Sequence, residues 1–420
     1  MKKYLEIYNN YKELILSNQL KFGDRMPSVR KAAASLEVSK TTIENAYFEL
    51  QADGYIISTE KSGFFVCYSN SDSKGENKIV INNKDIKYDL KSGDADKGSF
   101  DISLWQRYIK SALRQEERFL SYGDVQGEAD LREALSDYIR EKRNVSASPD
   151  RIVVGAGVLP LLSILCSLIS DNKTVSFPDE SFVQGINLFR DYGNDVRIKD
   201  KNADIIYVSP SHMTSFGSVM PIKRRLELIS HTKTTNALII EDDFDSDFVY
   251  QSKPTPALYA LSGGKNVVYM GSFSNVLIPG IRISFMVLTE ELAREFEKNK
   301  LHFAQTASKT EQIALCGFIR DGHIKSQNRK IRRLYTEKTK EFCNELKSAL
   351  PDADCSISDN GISIRLVTKF SKDLSVFENN TISVFIRSYE NGVLKLIISP
   401  SSIPKESIKD AVNALKTAIS

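Results

Sequence analysis

The stretch that decides the fold of this chain is GSFSNVLIPGIR, at residues 271–282. It follows the apolar run VVYM, a pattern that is typical of a buried strand. Beyond that strand, Ser272, Ser274 and Arg282 supply two hydroxyls and a guanidinium, which suit a phosphate bound at a strand's carboxyl end. Asn275 stands between them, where a covalently held cofactor would need an amine. Because a carboxamide cannot form a Schiff base, the stretch predicts a phosphate cradle without a covalent anchor.

Apolar runs and helical segments alternate along the chain from about residue 87. The runs lie at residues 152–154, 174–177, 205–208, 237–240, 267–270 and 283–288. This alternation predicts an α/β fold with a mainly parallel sheet that helices cover on both faces. In such sheets, ligand-binding residues gather beyond the carboxyl ends of the strands. Here those ends carry GAG at 155–157, SPSH at 209–212, EDD at 241–243 and GS at 271–272, and we expect them in one crevice.

A smaller α+β subdomain is predicted at about residues 326–420. It would begin with a long charged helix at about 325–350. Three apolar runs and a closing helix follow, at 362–366, 383–386, 394–398 and 408–419.

Composition restricts the class of protein. The 420 residues allow two or three domains, and 41% hydrophobic with 26% charged residues is ordinary for a soluble globular protein. A net charge of +3 means that any contact with nucleic acid must come from a local patch. Five scattered cysteines without a Cys-x-x-Cys pair, and four widely spaced histidines, argue against a disulfide framework and a metal site.

The location of the protein follows from two further observations. The first residues are charged and tyrosine-rich, without the apolar core of a signal peptide. The uncharged run at 152–170 is interrupted by Gly155, Gly157 and Pro160, so a strand, a turn and a buried helix explain it better than a membrane span. We therefore expect a cytoplasmic protein that does not contact a membrane.

The amino-terminal residues predict a mostly α-helical module with a β-hairpin. A helical stripe at residues 3–17 is followed by a turn in which Ser28 can cap a second helix, and by a third helix that starts near Lys40. Two short strands at 55–58 and 63–66 follow Gly54. Three helices and a hairpin together predict a winged helix-turn-helix, and the polar residues 68–86 predict a flexible linker.

A winged helix-turn-helix can bind DNA through the start of its third helix. Thr41 and Thr42 are short enough to reach base edges in a major groove, while Arg30, Lys40 and Lys61 can meet phosphates. The alternative is a small helical hairpin without this function, because Glu37, Glu44 and Glu49 dilute the positive charge. The hairpin after Gly54 favours DNA binding.

The motifs MPSVR at 26–30, VSKTT at 38–42 and LQADGY at 50–55 resemble the DNA-binding domain of GntR-type bacterial regulators. The resemblance implies that operator DNA is contacted by residues Arg30, Ser39, Lys40, Thr41 and Thr42. The sequence departs from the family at Glu44, where an arginine is often found.

The rest of the chain resembles a fold-type I aminotransferase, and the whole chain is similar to the MocR-like subgroup of GntR regulators. The supporting motifs occur in the family's order: LKSGD at 90–94, YGDVQG at 122–127 with LR at 131–132, PSH at 210–212, EDDFDS at 241–246 and GSFSNVLIPGIR at 271–282. The resemblance implies a homodimer, with each DNA-binding domain packed against the partner's large domain and double-stranded operator DNA as the ligand.

The resemblance also implies which residues would meet pyridoxal phosphate. Asp242 matches the aspartate that pairs with the pyridine nitrogen, and Ser272, Ser274 and Arg282 match the phosphate side. Four functional groups are absent: Asn275 replaces the Schiff-base lysine, Phe244 and Phe182 replace two tyrosines, and Ser402 aligns with the carboxylate-binding arginine. His212 is either a ligand contact or a packing residue, and Arg282 is either a ligand contact or a partner of Asp243 or Asp245. The cofactor would therefore bind non-covalently at most.

The leading hypothesis is a DNA-binding transcriptional regulator, with a winged helix-turn-helix at residues 1–67, a linker at 68–86 and an aminotransferase-like domain at 87–420. That domain would dimerise and sense a small anionic effector without catalysis. One alternative is a regulator or aminotransferase that uses pyridoxal phosphate, bound non-covalently or lost through an engineered lysine-to-asparagine change at position 275. Another is a large domain that only dimerises.

Overall fold

The computed structural model describes residues 3–59, 63–68, 86–91, 94–169, 172–213, 218–243, 255–359, 361–379 and 382–419. The chain forms two compact units, Met1–Asn83 and Lys84–Ser420. Most of the predicted linker at 68–86 lies outside the described residues, as do Lys61 and Phe244. No helix among the described ranges is long and apolar enough to cross a membrane.

The first unit is a three-helix module with a β-hairpin. Its elements are α1 (Lys3–Leu16), α2 (Val29–Ser35), α3 (Lys40–Ala52), β1 (Ile56–Thr59) and β2 (Gly63–Val66), and the two strands pair antiparallel. The inward stripe of α3 is fully buried, because Ile43, Ala46, Tyr47 and Leu50 recur at helical spacing against α1 and α2. The winged helix-turn-helix prediction is confirmed.

The second unit contains a seven-stranded sheet with the order β4-β10-β9-β8-β7-β5-β6. Its strands are β4 (Ile152–Gly155), β5 (Thr174–Phe177), β6 (Asp195–Ile198), β7 (Ile205–Val208), β8 (Leu238–Asp242), β9 (Val267–Ser272) and β10 (Ser284–Val287). Only β10 runs antiparallel to its neighbours, so the mainly parallel sheet is confirmed.

Helices cover both faces of this sheet. They are α4 (Ile102–Leu113), α6 (Ala129–Arg143), α7 (Val158–Leu168), α8 (Val183–Asp191), α9 (Ile222–Thr235), α10 (Leu258–Ser262), α11 (Glu290–Lys298) and α12 (Lys309–Arg320). The short helix α5 (Glu116–Phe119) belongs to the same unit and buries none of its residues. Alternate strand residues enter different cores: Val153 of β4 packs on one face, whereas Ile152 and Val154 pack on the other. Strands β4, β5, β7 and β10 are largely apolar because both of their faces are buried, whereas the edge strand β6 is mixed and mostly exposed.

The carboxyl-terminal subdomain begins with α13 (His323–Ala349) and has its own core. Its antiparallel sheet has the order β11-β12-β15-β14, from β11 (Asp354–Ile357), β12 (Ile364–Lys369), β14 (Phe385–Glu390) and β15 (Val393–Ile398). The remaining elements are β3 (Tyr88–Asp89), which pairs with β13 (Ile382–Ser383), α14 (Val376–Asn379) and α15 (Ile408–Ile419). The predicted α+β subdomain is confirmed.

Candidate functional site

A cavity of about 490 Å³ lies at the carboxyl ends of β5, β7 and β8. Its polar wall includes Ser209, His212 and Asp242, which follow β7 or end β8. Aromatic side chains of Phe177, Phe182 and Phe385 form much of the rest, together with Tyr207. The cavity therefore combines a carboxylate with flat apolar walls, an arrangement that suits a small ring-containing ligand.

Asp242 is held by a tyrosine on the neighbouring strand. The hydroxyl of Tyr207 donates a hydrogen bond of 2.5 Å to Oδ2 of Asp242. Burial, followed by the charge of Asp242, raises the pKa of Tyr207 well above its ordinary value, so the hydroxyl remains the donor. The Tyr207 ring stacks on the Phe177 ring, with centroids 4.9 Å apart. The centroids of the Tyr207 and Phe182 rings are 5.5 Å apart.

The stretch at residues 271–282 lies beside this cavity, next to the amino terminus of α7. Ser284 of β10 pairs with Ser272 on one side and with Gly155 on the other, which brings the ends of β9 and β4 to the same edge. Gly157 is the N-cap residue of α7 and has φ of 106°. A Cβ at that position would lie 2.7 Å from Nη2 of Arg282, so the guanidinium lies against the start of the helix.

This arrangement has the chemistry of an anion site. The first amides of a helix and an arginine both favour negative charge. Ser272 and Ser274 add hydroxyls, with their Oγ atoms 3.3 Å apart. We call Ser272, Ser274, Arg282 and the start of α7 the cradle. Val158, the first residue of α7, also lines the cavity, so the cradle borders the cavity that Asp242 lines.

The structure divides the predicted site residues into two groups. His212 and Asp242 line the cavity, together with Phe182. Ser272, Ser274, half-buried Asn275 and Arg282 lie outside the cavity lining, on the segment that carries the cradle. Ser402 donates a 2.8 Å hydrogen bond to the Asp89 carbonyl oxygen and does not line the cavity. Phe244 and Asp245 lie outside the described residues.

The predicted DNA-binding residues cluster at the first turns of α2 and α3. Arg30, Lys40 and Thr41 are exposed there. Ser39 is the N-cap of α3, and its Oγ accepts a hydrogen bond of 3.1 Å from the Thr42 amide. The Ser39 and Thr42 hydroxyl oxygens lie 2.8 Å apart. Ser39 thus orders the helix start that presents Lys40 and Thr41. Lys61 lies outside the described part of the chain.

Comparison with known proteins decides the family. Residues 3–66 match bacterial regulatory proteins of the gntR family, and residues 85–201 and 197–378 match aminotransferase class I and II. The uncharacterized HTH-type transcriptional regulator YdeL of Bacillus subtilis (strain 168) is 32% identical over 363 residues, which cover 80% of this chain and 77% of that protein. The probable rhizopine catabolism regulatory protein MocR of Rhizobium meliloti is 27% identical over 404 residues, 88% of this chain and 82% of that protein.

The chain belongs to the MocR-like subgroup of GntR-family transcriptional regulators. The fold of this MocR-like regulator is also similar to that of an archaeal alanine:glyoxylate aminotransferase, with a TM-score of 0.70 and 20% identity over 79% of this chain and 90% of that one.

Beneath its cavity, the MocR-like regulator has a network of buried charges. Arg143 donates to both carboxylate oxygens of Asp243, at 2.7 and 2.9 Å, and Tyr269 donates to Asp243 at 2.6 Å. Arg143, and not Arg282, therefore forms the ion pair with Asp243. Glu241 accepts from the amides of Leu258 and Tyr259, at 2.7 and 2.8 Å, so it caps the short helix α10.

A buried arginine fixes the backbone around the cavity of this MocR-like regulator. Arg225 donates to the carbonyl oxygens of Pro210, Met220 and Pro256, at 3.1, 3.0 and 2.8 Å. Pro210 lies two residues before His212, and Pro256 lies just before α10. Arg225 is only 1% exposed, and three carbonyl acceptors satisfy a guanidinium that has left water.

Sequence analysis missed Tyr207 and Arg225. Tyr207 belongs to the run IIYV, where its ring fits the buried pattern of β7, and its hydroxyl was the only available signal. Arg225 sits within an amphipathic helix, where an arginine normally faces water. Its position on the inward stripe beside Leu228 and Ile229 was the signal that could have revealed it.

Proposed function

We propose that this regulator senses a small anionic ligand in its large unit and performs no transamination. The observation that carries the proposal is Asn275, which stands between Ser274 and Arg282 where the resemblance places the Schiff-base lysine. An amide cannot form that bond, and it cannot act as the base that moves a proton from a substrate carbon. Phe182 at the cavity wall likewise has no hydroxyl.

The cavity and cradle support ligand binding. Asp242 can accept a protonated ring nitrogen, Phe182 and Tyr207 can flank a flat ring, and Arg282 at the start of α7 can hold a phosphate or carboxylate. These residues fit pyridoxal phosphate bound without a covalent link. When bound, that group would supply an electron-withdrawing ring, but Asn275 has no amine that could use it.

Exposed apolar side chains support a homodimer. Leu120, Tyr122 and Leu301 are 87%, 104% and 98% exposed. The segments that carry them adjoin, because Lys300 forms an ion pair of 3.2 Å with Asp124. Large apolar groups on neighbouring segments are typical of a subunit interface. A dimer would present two DNA-binding domains to two operator half-sites.

The proposed organisation is a DNA-binding domain at residues 1–67, a linker at 68–86 and a dimerising, ligand-binding domain at 87–420. Its partner would be double-stranded operator DNA, in the cytoplasm. A domain that dimerises without sensing anything is the alternative outcome of the test below.

Titration of the purified full chain with pyridoxal phosphate and, separately, with inorganic phosphate tests this function. We expect saturable binding that Arg282→Ala weakens by about 10- to 100-fold, because a hydrogen-bonded charge contributes roughly 1.5–3 kcal/mol. Arg224→Ala, which removes an exposed arginine of α9, is the matched control. Absence of binding by the wild type would favour dimerisation alone, and conversion of an amino acid to its keto acid would refute the proposal.

A further inference from the structure

The long helix α13 carries a row of basic side chains on its exposed face. Lys325, Arg329, Arg332, Arg333 and Lys340 are all exposed. Their spacing of four, three, one and seven residues keeps them on one side of the helix. At 1.5 Å per residue the row is about 22 Å long. We call these five residues the α13 basic stripe.

The stripe is held on a rigid support. The opposite side of α13 buries Ile324, Ile331 and Tyr335 in the core that covers the large sheet. Gln327 is also buried, and its Nε2 donates to the carbonyl oxygens of Ser99 and Val276, both at 3.0 Å. The packing of the opposite side therefore fixes which face of α13 is exposed, and a binding partner would not have to order the helix.

The first four residues of the stripe lie in a part of α13 without acidic residues. Residues 323–336 contain no aspartate or glutamate. Lys325 pairs with Glu141 at 2.6 Å and Arg333 pairs with Glu337 at 2.9 Å, and both acids are well exposed. Exposed ion pairs of this kind contribute little to stability, so a polyanion can compete for the basic partners. In a chain with a net charge of only +3, this concentration of one sign is a marked local asymmetry.

The chemistry of the stripe fits nucleic acid better than a lipid surface. A helix that binds membranes exposes an apolar face next to its basic side chains, whereas α13 buries its apolar side chains. Three of the five residues are arginines, whose planar guanidinium can contact a phosphate through two hydrogen bonds. A length of about 22 Å corresponds to roughly six base pairs at 3.4 Å each.

We propose that the α13 basic stripe contacts the phosphate backbone of DNA that flanks the operator. The first unit would read the operator, and the second unit would add contacts that do not depend on sequence. This inference rests on the DNA binding of the family and not on ligand sensing. It predicts two separable contributions to affinity, of which only one needs DNA beyond the half-sites.

The test uses the full chain and a duplex selected by that chain from a random pool, prepared at two lengths. The short duplex covers the selected site, and the long duplex extends it by about 20 base pairs on each side. The stripe variant is Arg329→Gln, Arg332→Gln and Arg333→Gln together. Its control removes three exposed basic side chains from α9, through Lys223→Gln, Arg224→Gln and Lys233→Gln. Thermal unfolding of each variant checks that it remains folded.

We expect the stripe variant to bind the long duplex at least about tenfold more weakly than the wild type, with unchanged affinity for the short duplex. Three lost phosphate contacts would reduce the slope of log affinity against log salt concentration by roughly 3 on the long duplex. Equal effects of the stripe and α9 variants, or an equal loss on both duplexes, would overturn the proposal. So would a loss of binding to anionic phospholipid vesicles without a loss on the long duplex. Failure of the wild type to bind the short duplex would instead contradict DNA recognition by the first unit.

Discussion

The hydroxyl of Tyr207 donates a 2.5 Å hydrogen bond to Asp242, across the boundary between β7 and β8. Tyr207 is 3% exposed and Asp242 is half-buried, so the bond lies at the cavity wall with its donor sheltered from solvent. It fixes the carboxylate that a ring nitrogen of a ligand would meet. The site is thus positioned by a residue whose side chain is part of the apolar wall.

Replacing Tyr207 with phenylalanine should lower the free energy of unfolding by about 1–3 kcal/mol, because Asp242 would lose a buried donor while the ring packing on Phe177 remains. Chemical denaturation of the second unit measures this change. Tyr389→Phe is the control, since its 3.2 Å bond to the Phe370 carbonyl oxygen lies at a more exposed position. Equal losses in the two variants would show that the Asp242 bond has no special weight.

Asn275→Lys should restore covalent capture of pyridoxal phosphate. The cradle of Ser272, Ser274 and Arg282 is retained beside position 275, so an amine there would meet a cofactor held by its phosphate. Mass spectrometry after borohydride reduction measures the trapped adduct. We expect the adduct in this variant and not in the wild type or in Asn275→Gln. Trapping by the wild type would disprove the proposal that the covalent anchor is absent.

Gly157→Ala should destabilise the second unit and displace Arg282. Its φ of 106° disfavours any side chain, and the new Cβ would lie 2.7 Å from Nη2 of Arg282. The combination with Arg282→Ala separates the two effects, because only the contact is relieved when the guanidinium is removed. Denaturation of the two single variants and the double variant measures the coupling. Strict additivity would mean that the guanidinium does not lie against the helix start.

Glu241 should make stability fall as pH rises. Burial, followed by repulsion from Asp243, raises the pKa of Glu241 above its ordinary value of 4.5. From pH 4.5 upward the folded state then holds a proton that the unfolded state has released, so the free energy of unfolding decreases until the raised pKa is passed. Glu241→Gln should flatten this dependence in urea unfolding between pH 5 and neutrality. An unchanged slope would count against the shift, and exposed Glu291→Gln provides the comparison.

Ser39 should have two separable roles in the first unit. Ser39→Ala removes the oxygen that accepts from the Thr42 amide, and we expect a loss of about 1 kcal/mol in unfolding free energy. Ser39→Asp keeps a capping oxygen but adds negative charge beside Lys40, so it should fold well and bind DNA poorly. Denaturation and DNA titration of both variants distinguish these effects. DNA affinity that follows stability alone in the two variants would exclude a direct role.

Sequence patterns predicted the layers of the fold because burial imposes periodicity. The six predicted apolar runs correspond to β4, β5, β7, β8, β9 and β10. The edge strands β6 and β11 were missed, since their exposed positions leave them with mixed residues, DVRI and DCSI. The third helix of the first unit was predicted for the same physical reason, because one side of it is buried.

The candidate site was only partly predictable. Asp242 and His212 follow strands, where residues of this kind gather, and the structure places both at the cavity. The partners of charged groups could not be read locally: Arg143 and Asp243 are separated by 100 positions, and Tyr207 and Asp242 by 35. Such pairs depend on the three-dimensional approach of distant segments, which periodicity does not encode.

Arg225 donates its hydrogen bonds to the carbonyl oxygens of Pro210, Met220 and Pro256, which are main-chain atoms and not side chains. Side-chain substitutions elsewhere in these segments would therefore leave the three acceptors in place. Loss of the Arg225 guanidinium, in contrast, would remove all three hydrogen bonds at once. One buried cation thus links three main-chain sites between residues 210 and 256, and the positions of all three depend on the same side chain.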